Sequence, residues 1–239
     1  MLQSIRKAIR GGIPICFPQF SDFGELEISH GFARNSKWAV AKREGDCVTL
    51  RLSSSSETKE KYGYGFDFAV EVTYTINENQ LLTKLQVTNT GHLEMTYSLA
   101  LHTYYRVEDI TRAKVEGLYR VSYMDSLDGR ALKAETNSHI SVDQEVDRIY
   151  LSTPPTLRIV DPMGNKVMSI EKFNLPDIVV WNPWVDKAKR MGDFGNDEYK
   201  EMICVETGCI KPAIRLLPGT MWKAEQIITV TDHSQHVSR

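Results

Sequence analysis

The sequence predicts an all-β protein, an antiparallel sandwich of many strands with little helix. Three observations predict it: apolar residues fall on every second position over long stretches, short apolar runs recur between Pro, Gly and Asn turn signals, and only one segment has a helical pattern. The 239 residues suit one large all-β domain or two small ones. No Gly/Ser linker, internal repeat or break in composition divides them, so residues 1–239 are read as a single domain with a tail after about Thr231.

The elements follow in chain order. Residues 47–52 read as a short strand. Phe66, Phe68, Val70, Val72, Tyr74 and Ile76 alternate with more polar residues, as in a half-buried strand. Asn77-Glu-Asn-Gln80 supplies a polar turn before Leu81, Thr83, Leu85 and Val87, which predicts a hairpin closed by Asn89-Thr-Gly91. Next, Met95, Tyr97, Leu99 and Leu101 share one face of a strand. Thr96, Ser98, Ala100 and His102 share the other, which is too small and polar for a core layer and suits a cleft. Further strands are predicted over 149–151, 157–160, 166–170, 178–181, 202–205 and 222–230. Turns at Thr153-Pro-Pro155, Asp161-Pro-Met-Gly164, Leu175-Pro176 and Leu217-Pro-Gly219 separate them. One short helix is predicted over 185–191, with Asp186 as its cap.

Composition narrows the function. A net charge of -2 gives no electrostatic footprint for nucleic acid or an anionic membrane, and no apolar run reaches the roughly 18 residues that cross a bilayer. A small-molecule ligand is therefore expected. Cys16, Cys47, Cys204 and Cys209 are scattered without a CxxC pair, which reads as free thiols in a reducing compartment, the cytoplasm. The basic stretch from Met1 to Arg10 leaves too little chain ahead of the first motif for a removable address. Gly11-Gly12 lacks the Gly-Lys-Ser/Thr of a phosphate loop, and Gly63-Tyr-Gly65 is no dinucleotide fingerprint. His233 and His236 have metal-like spacing but no carboxylate or thiol partner, so no metal site is assigned.

Several side chains carry the chemistry expected of a site. His102 is either a structural histidine or an imidazole facing a cleft, where its ordinary pKa of about 6.5 suits proton transfer near neutrality. Glu206 ends the apolar run Met202-Ile-Cys-Val-Glu206. Such a carboxylate either turns to solvent or is held for function, its basicity raised by partial desolvation. Arg10 and Arg34, with Ser36 and Lys37, lie in two Gly-rich aromatic segments, and paired guanidinium groups fork onto phosphate oxygens. Asp147, ahead of a predicted strand, caps a turn or bonds a sugar hydroxyl. Trp181 and Trp184 fill core or stack on a sugar face, the former being the simpler reading.

Together the motifs Arg10-Gly-Gly-Ile-Pro-Ile-Cys-Phe-Pro-Gln-Phe20, His30-Gly-Phe-Ala-Arg-Asn35, Leu101-His-Thr-Tyr104, Val146-Asp-Arg-Ile-Tyr150, Val180-Trp-Asn-Pro-Trp184 and Cys204-Val-Glu206 resemble the glucose-6-phosphate 1-epimerases. These form a branch of the aldose 1-epimerase (galactose mutarotase-like) superfamily, and the likeness is strongest to its plant members. The resemblance implies a β-supersandwich with the site on a concave sheet face, no cofactor, and a monomer acting on a hexose 6-phosphate. It implies that His102 and Glu206 are the catalytic pair, flanking one pyranose and interconverting its α and β anomers. It further implies that Asp147 binds sugar hydroxyls, that Arg10, Arg34 and Ser36 hold the phosphate, and that His30 is a second active-site histidine. A mutarotase of free hexoses and a non-catalytic carbohydrate-binding protein are the alternatives. Relatives of this kind have several strands before the RGGIP motif, whereas nine residues precede it here, so an exposed sheet edge is expected.

Overall fold

The structure is a computed structural model, in which residues 8–232 are described. The first third of the chain forms β1 (Ile15–Cys16), β2 (Ala39–Glu44), β3 (Cys47–Ser53), β4 (Phe68–Asn77), β5 (Gln80–Asn89) and β6 (Met95–Leu101). The middle adds β7 (Tyr104–Arg106), β8 (Lys114–Glu116), β9 (Ser122–Asp125), β10 (Ala131–Ala134), β11 (His139–Ile140) and β12 (Val146–Tyr150). The last part contributes β13 (Thr156–Asp161), β14 (Lys166–Phe173), β15 (Asp177–Asn182), α1 (Trp184–Arg190), β16 (Met202–Leu216) and β17 (Met221–Asp232).

The strands make two antiparallel sheets. One runs β1-β6-β16-β15-β12-β9-β10, with β7 also paired to β16; the other runs β11-β8-β13-β14-β17-β5-β4-β3-β2. Alternation decides how they pack, because one face of each strand is apolar. Met95, Tyr97, Leu99 and Leu101 meet Val70, Val72, Leu85 and Val87 across the layer, and Ile178, Val180, Ile203 and Val205 meet Ile159, Ile170 and Ile228. A third cluster lies on the outer side of the first sheet, where Phe20 and Cys16 pack on Ala100, Ile149, Val179, Trp181 and Cys204.

The predicted hairpin forms over β4 and β5 with Asn77 opposite Gln80. Its alternating face is buried in the middle and opens at the end, where Ile76 is 63% exposed. Four sequence readings are corrected. The outer face of β6 is not an open cleft along its length: Ala100 and Ser98 are buried, and the Ser98 hydroxyl accepts the Phe20 N–H at 2.8 Å. Asp147 lies inside β12 opposite Trp181 rather than ahead of a strand. Asp186 sits within the first turn of α1 and does not cap it; Asn182 Oδ1 accepts the Trp184 N–H at 2.9 Å instead. Glu206 does not end a strand, since β16 continues through a bulge between Cys209 and Ile214 to Leu216. The short strands β1 and β7 to β11 and the edge strand β2 are additions that the sequence pattern does not predict. Strand β2 is exposed throughout and carries Lys42, Arg43 and Glu44, charges that discourage edge-to-edge pairing. His233 and His236 lie outside the described residues.

Candidate active site

Register places the site. Asp147 on β12 stands opposite Trp181 on β15, Trp181 opposite Cys204 on β16, and Cys204 opposite Tyr104 on β7, so four side chains form one row on the outer face of the sheet. One step along, Glu206 stands opposite Val179, and Thr207 opposite Leu101 brings His102, the next residue, beside it. His102 Nδ1 lies 3.3 Å from Glu206 Oε1, with both residues buried at 6% and 1% exposure. The approach lacks hydrogen-bond alignment, so His102 Nδ1 and Glu206 Oε2 are buried without a hydrogen-bond partner. Imidazole and carboxyl are side by side.

The imidazole plane is set by its neighbours. Tyr104 stacks on His102 with centroids 4.9 Å apart and planes at 6°, Trp181 meets it edge-on at 6.1 Å, and the backbone N–H of His102 donates to the Pro14 carbonyl at 2.9 Å. Burial pulls the His102 pKa well down, with the neighbouring His30 ring and Arg34 guanidinium acting the same way. Burial pushes that of Glu206 well up, seconded by the negative charge of Asp147 and opposed by Arg34. A desolvated pocket thus disfavours charge on either partner. Asp147, itself raised by burial, has Lys187 Nζ at 3.6 Å, and the same ammonium lies 2.8 Å from Glu145.

His30 joins this cluster from the loop after β1, its ring 5.4 Å from that of His102. The Ser21 N–H donates to its Nδ1 at 3.2 Å, and Cys16 Sγ lies 3.3 Å from the same atom. A nitrogen that accepts a backbone N–H carries no proton, so the ring hydrogen is on Nε2. Burial, reinforced by Arg34 and Arg10, lowers the His30 pKa to about 3 and keeps the ring neutral.

Both arginines act on this centre: each depresses His30 and His102, and Arg10 also opposes the burial that pushes the Tyr104 pKa up. Arg10 Nε pairs with Asp193 at 3.2 Å, and Arg34 Nη2 donates to the Ser29 carbonyl at 3.1 Å, leaving its Nε buried and unpartnered. The Ser36 hydroxyl donates to the Phe32 carbonyl at 3.0 Å and so has only acceptor capacity left; Lys37 is exposed. Trp181 borders the site, whereas Trp184 packs on Tyr199 and the inter-sheet core.

Sequence reasoning missed Tyr104, Cys16, Cys204 and Lys187. Tyr104 and Cys204 left a signal, each standing two residues from a singled-out residue, His102 and Glu206 respectively, on the same side of an extended chain. One atom each of His102, Cys204 and Glu206 lie within 4.8 Å of one another, a set able to hold a metal ion. A cavity of about 1010 Å³ opens elsewhere, between loops holding Phe23, Glu25, Tyr62 and Phe66. It contains none of the titratable pairs above, so the chemistry is assigned to the His102–Glu206 face.

Known proteins of similar sequence and fold bear on this arrangement. Residues 3–229 match the family model described as aldose 1-epimerase. The chain belongs to that family. A Cenchrus ciliaris protein named "Putative glucose-6-phosphate 1-epimerase" is 38% identical over 238 residues, 95% of this chain and 72% of its own length. An Escherichia coli protein of the same name is 30% identical over 84% of this chain and 67% of its own. The solved structure of a "putative mutarotase" from Salmonella typhimurium superposes with a TM-score of 0.86 at 28% identity, covering 96% of this chain and 77% of that one. The chain is thus an epimerase-family enzyme with a galactose mutarotase-like fold.

Proposed function

We propose that this member of the aldose 1-epimerase family interconverts the α and β anomers of a hexose 6-phosphate, with His102 and Glu206 as the acid/base pair. One observation carries the assignment: a buried imidazole and carboxyl 3.3 Å apart, with two atoms left without hydrogen-bond partners. Anomerisation opens the C1–O5 bond, so one proton leaves the C1 hydroxyl while another reaches O5. Both oxygens are bonded to C1, and adjacent groups therefore serve them without surrounding the ring. The step starts from the pair as carboxylate and imidazolium, whose attraction at 3.3 Å offsets the desolvation that disfavours each charge alone. Glu206 takes the hydroxyl proton, His102 protonates O5, rotation about C1–C2 turns the aldehyde, and reclosure with the roles reversed gives the other anomer. The proton count of the pair is the same before and after, and each transfer contributes roughly 10²–10⁴ in rate.

Arg10 and Arg34 supply the preference for a phosphorylated sugar. A phosphate on these guanidinium groups makes charge-assisted hydrogen bonds and orients the ring. Asp147, with Lys187, is assigned to sugar hydroxyls, and His30 to a further one through its Nε2–H. Ser36 contributes only if its bond to Phe32 breaks. Four cysteines without a disulfide support a reducing compartment such as the cytoplasm. Saturation-transfer NMR on glucose 6-phosphate tests the reading. Exchange between anomers well above the buffer rate is expected; its absence, with ligand still bound, converts the assignment to carbohydrate binding. Faster exchange on free galactose would favour the free-hexose alternative.

A further inference from the structure

We propose that Cys204, with His102 and Glu206, forms a binding site for a single soft divalent cation, of which Zn²⁺ is the natural probe, and that its occupancy switches off the acid/base pair. The ligand atoms lie within 4.8 Å of one another, and all three residues are buried. Atoms sharing one tetrahedral Zn²⁺ sit roughly 3.3–3.6 Å apart, given metal distances of about 2.0–2.3 Å, so a contraction within rotamer freedom closes the site. Two of these side chains also have buried atoms without hydrogen-bond partners, His102 Nδ1 and Glu206 Oε2, which gain partners on the ion.

The donor set selects the metal. One imidazole, one thiolate and one carboxylate suit Zn²⁺, whereas Mg²⁺ and Ca²⁺ require six or more oxygens that this pocket does not offer. Binding displaces two protons to solvent, that of the Cys204 thiol and the one held by the His102–Glu206 pair. Thiolate and carboxylate then neutralise the two positive charges of the ion, so Arg10 and Arg34 face no added net charge. Register explains the coincidence, since Cys204 and Glu206 are two apart on β16 and point to the same face, with His102 beside Glu206. Cys204 takes no part in the proton transfers, yet it lies within reach of both groups that do.

The inhibitory effect rests on the epimerase reading; the metal site does not. The test is a Zn²⁺ titration of the purified full chain against a chromophoric chelator, run alongside anomer exchange. One Zn²⁺ per chain is expected, with exchange falling in proportion to occupancy, restored by EDTA and untouched by Mg²⁺. Cys204→Ser and Cys204→Ala should bind Zn²⁺ at least about tenfold more weakly, and the exchange each retains should lose its sensitivity to Zn²⁺, while Cys209→Ser should stay sensitive. Co²⁺ provides a readout independent of the variants, a thiolate-to-metal charge-transfer band. Unchanged Zn²⁺ affinity in both Cys204 variants, or no such band in the parent, overturns the site. A bound ion that needs Cys204 yet leaves exchange intact overturns the His102–Glu206 assignment and keeps the site.

Discussion

On the inter-sheet side of β6, β15 and β16 stand Leu99 and Leu101, Ile178 and Val180, and Ile203 and Val205; on the outer side of the same strands stand Ala100, Val179 and Trp181, and Cys204 and Glu206. Both sides are buried, so burial does not tell them apart. Nor does an unpartnered polar atom, because Tyr97 Oη and Gln226 Nε2 are unpartnered within the core just as Glu206 Oε2 is outside it. What differs is ionisable chemistry. The inner face of these three strands holds no acidic or basic residue, and its Thr207 hydroxyl is bonded to neutral Gln226 at 2.7 Å. The outer face gathers His102, Glu206 and Asp147 where desolvation shifts every one of them. A buried neutral group costs stability; a buried group that titrates offers chemistry as well.

Substitutions on the two faces should therefore separate rate from stability. Glu206→Gln is expected to lower anomer exchange by roughly 10²–10⁴ while the thermal midpoint holds; an unchanged rate by saturation-transfer NMR would remove Glu206 from the mechanism. On the inner face, Leu99→Ala should cost about 2–5 kcal/mol in urea unfolding, with the rate per folded molecule preserved. A loss of rate there would show that the faces are not independent. Arg34→Ala should lower kcat/KM for glucose 6-phosphate roughly tenfold to a hundredfold, matching a lost charge-assisted hydrogen bond. An equal loss on unphosphorylated glucose would argue against a phosphate clamp.

A further prediction concerns pH. Because the folded pKa of His30 is about 3, below the ordinary 6.5, the unfolded chain binds the extra proton between those values. Its stabilising contribution is complete above about pH 6.5 and is lost as pH falls through that window, at up to about 1.4 kcal/mol per pH unit. His30→Gln should flatten this limb of stability against pH. An identical slope in the variant would mean that the ring is already charged in the folded protein.

Much of this contrast is legible in the chain. The alternation through Val70 and Val72, then Leu85 and Val87, then Leu99 and Leu101, identifies the core face from pattern alone, because a strand sends successive side chains to opposite sides. His102 and Glu206 stand out as titratable residues beside apolar runs. The strands between Lys114 and Ile140 are not legible, being two to four residues long, too short for a period to emerge. Pattern puts Asp147 and Glu206 at strand ends because sequence marks where apolar runs stop, while hydrogen bonding to neighbours decides where strands stop.

The sequence by itself determined an all-β antiparallel fold, its buried faces and the types of residue able to move protons. Only tertiary structure decided that His102 meets Glu206 directly, that Tyr104 stacks on the imidazole, that Cys16 and the Ser21 N–H hold His30 in one tautomer, and that Cys204 lies within reach of the pair. The physical reason is register. Periodicity is a local property of one strand, whereas the row running from Asp147 through Trp181 and Cys204 to Tyr104 joins four strands whose pairing depends on the packing of both sheets.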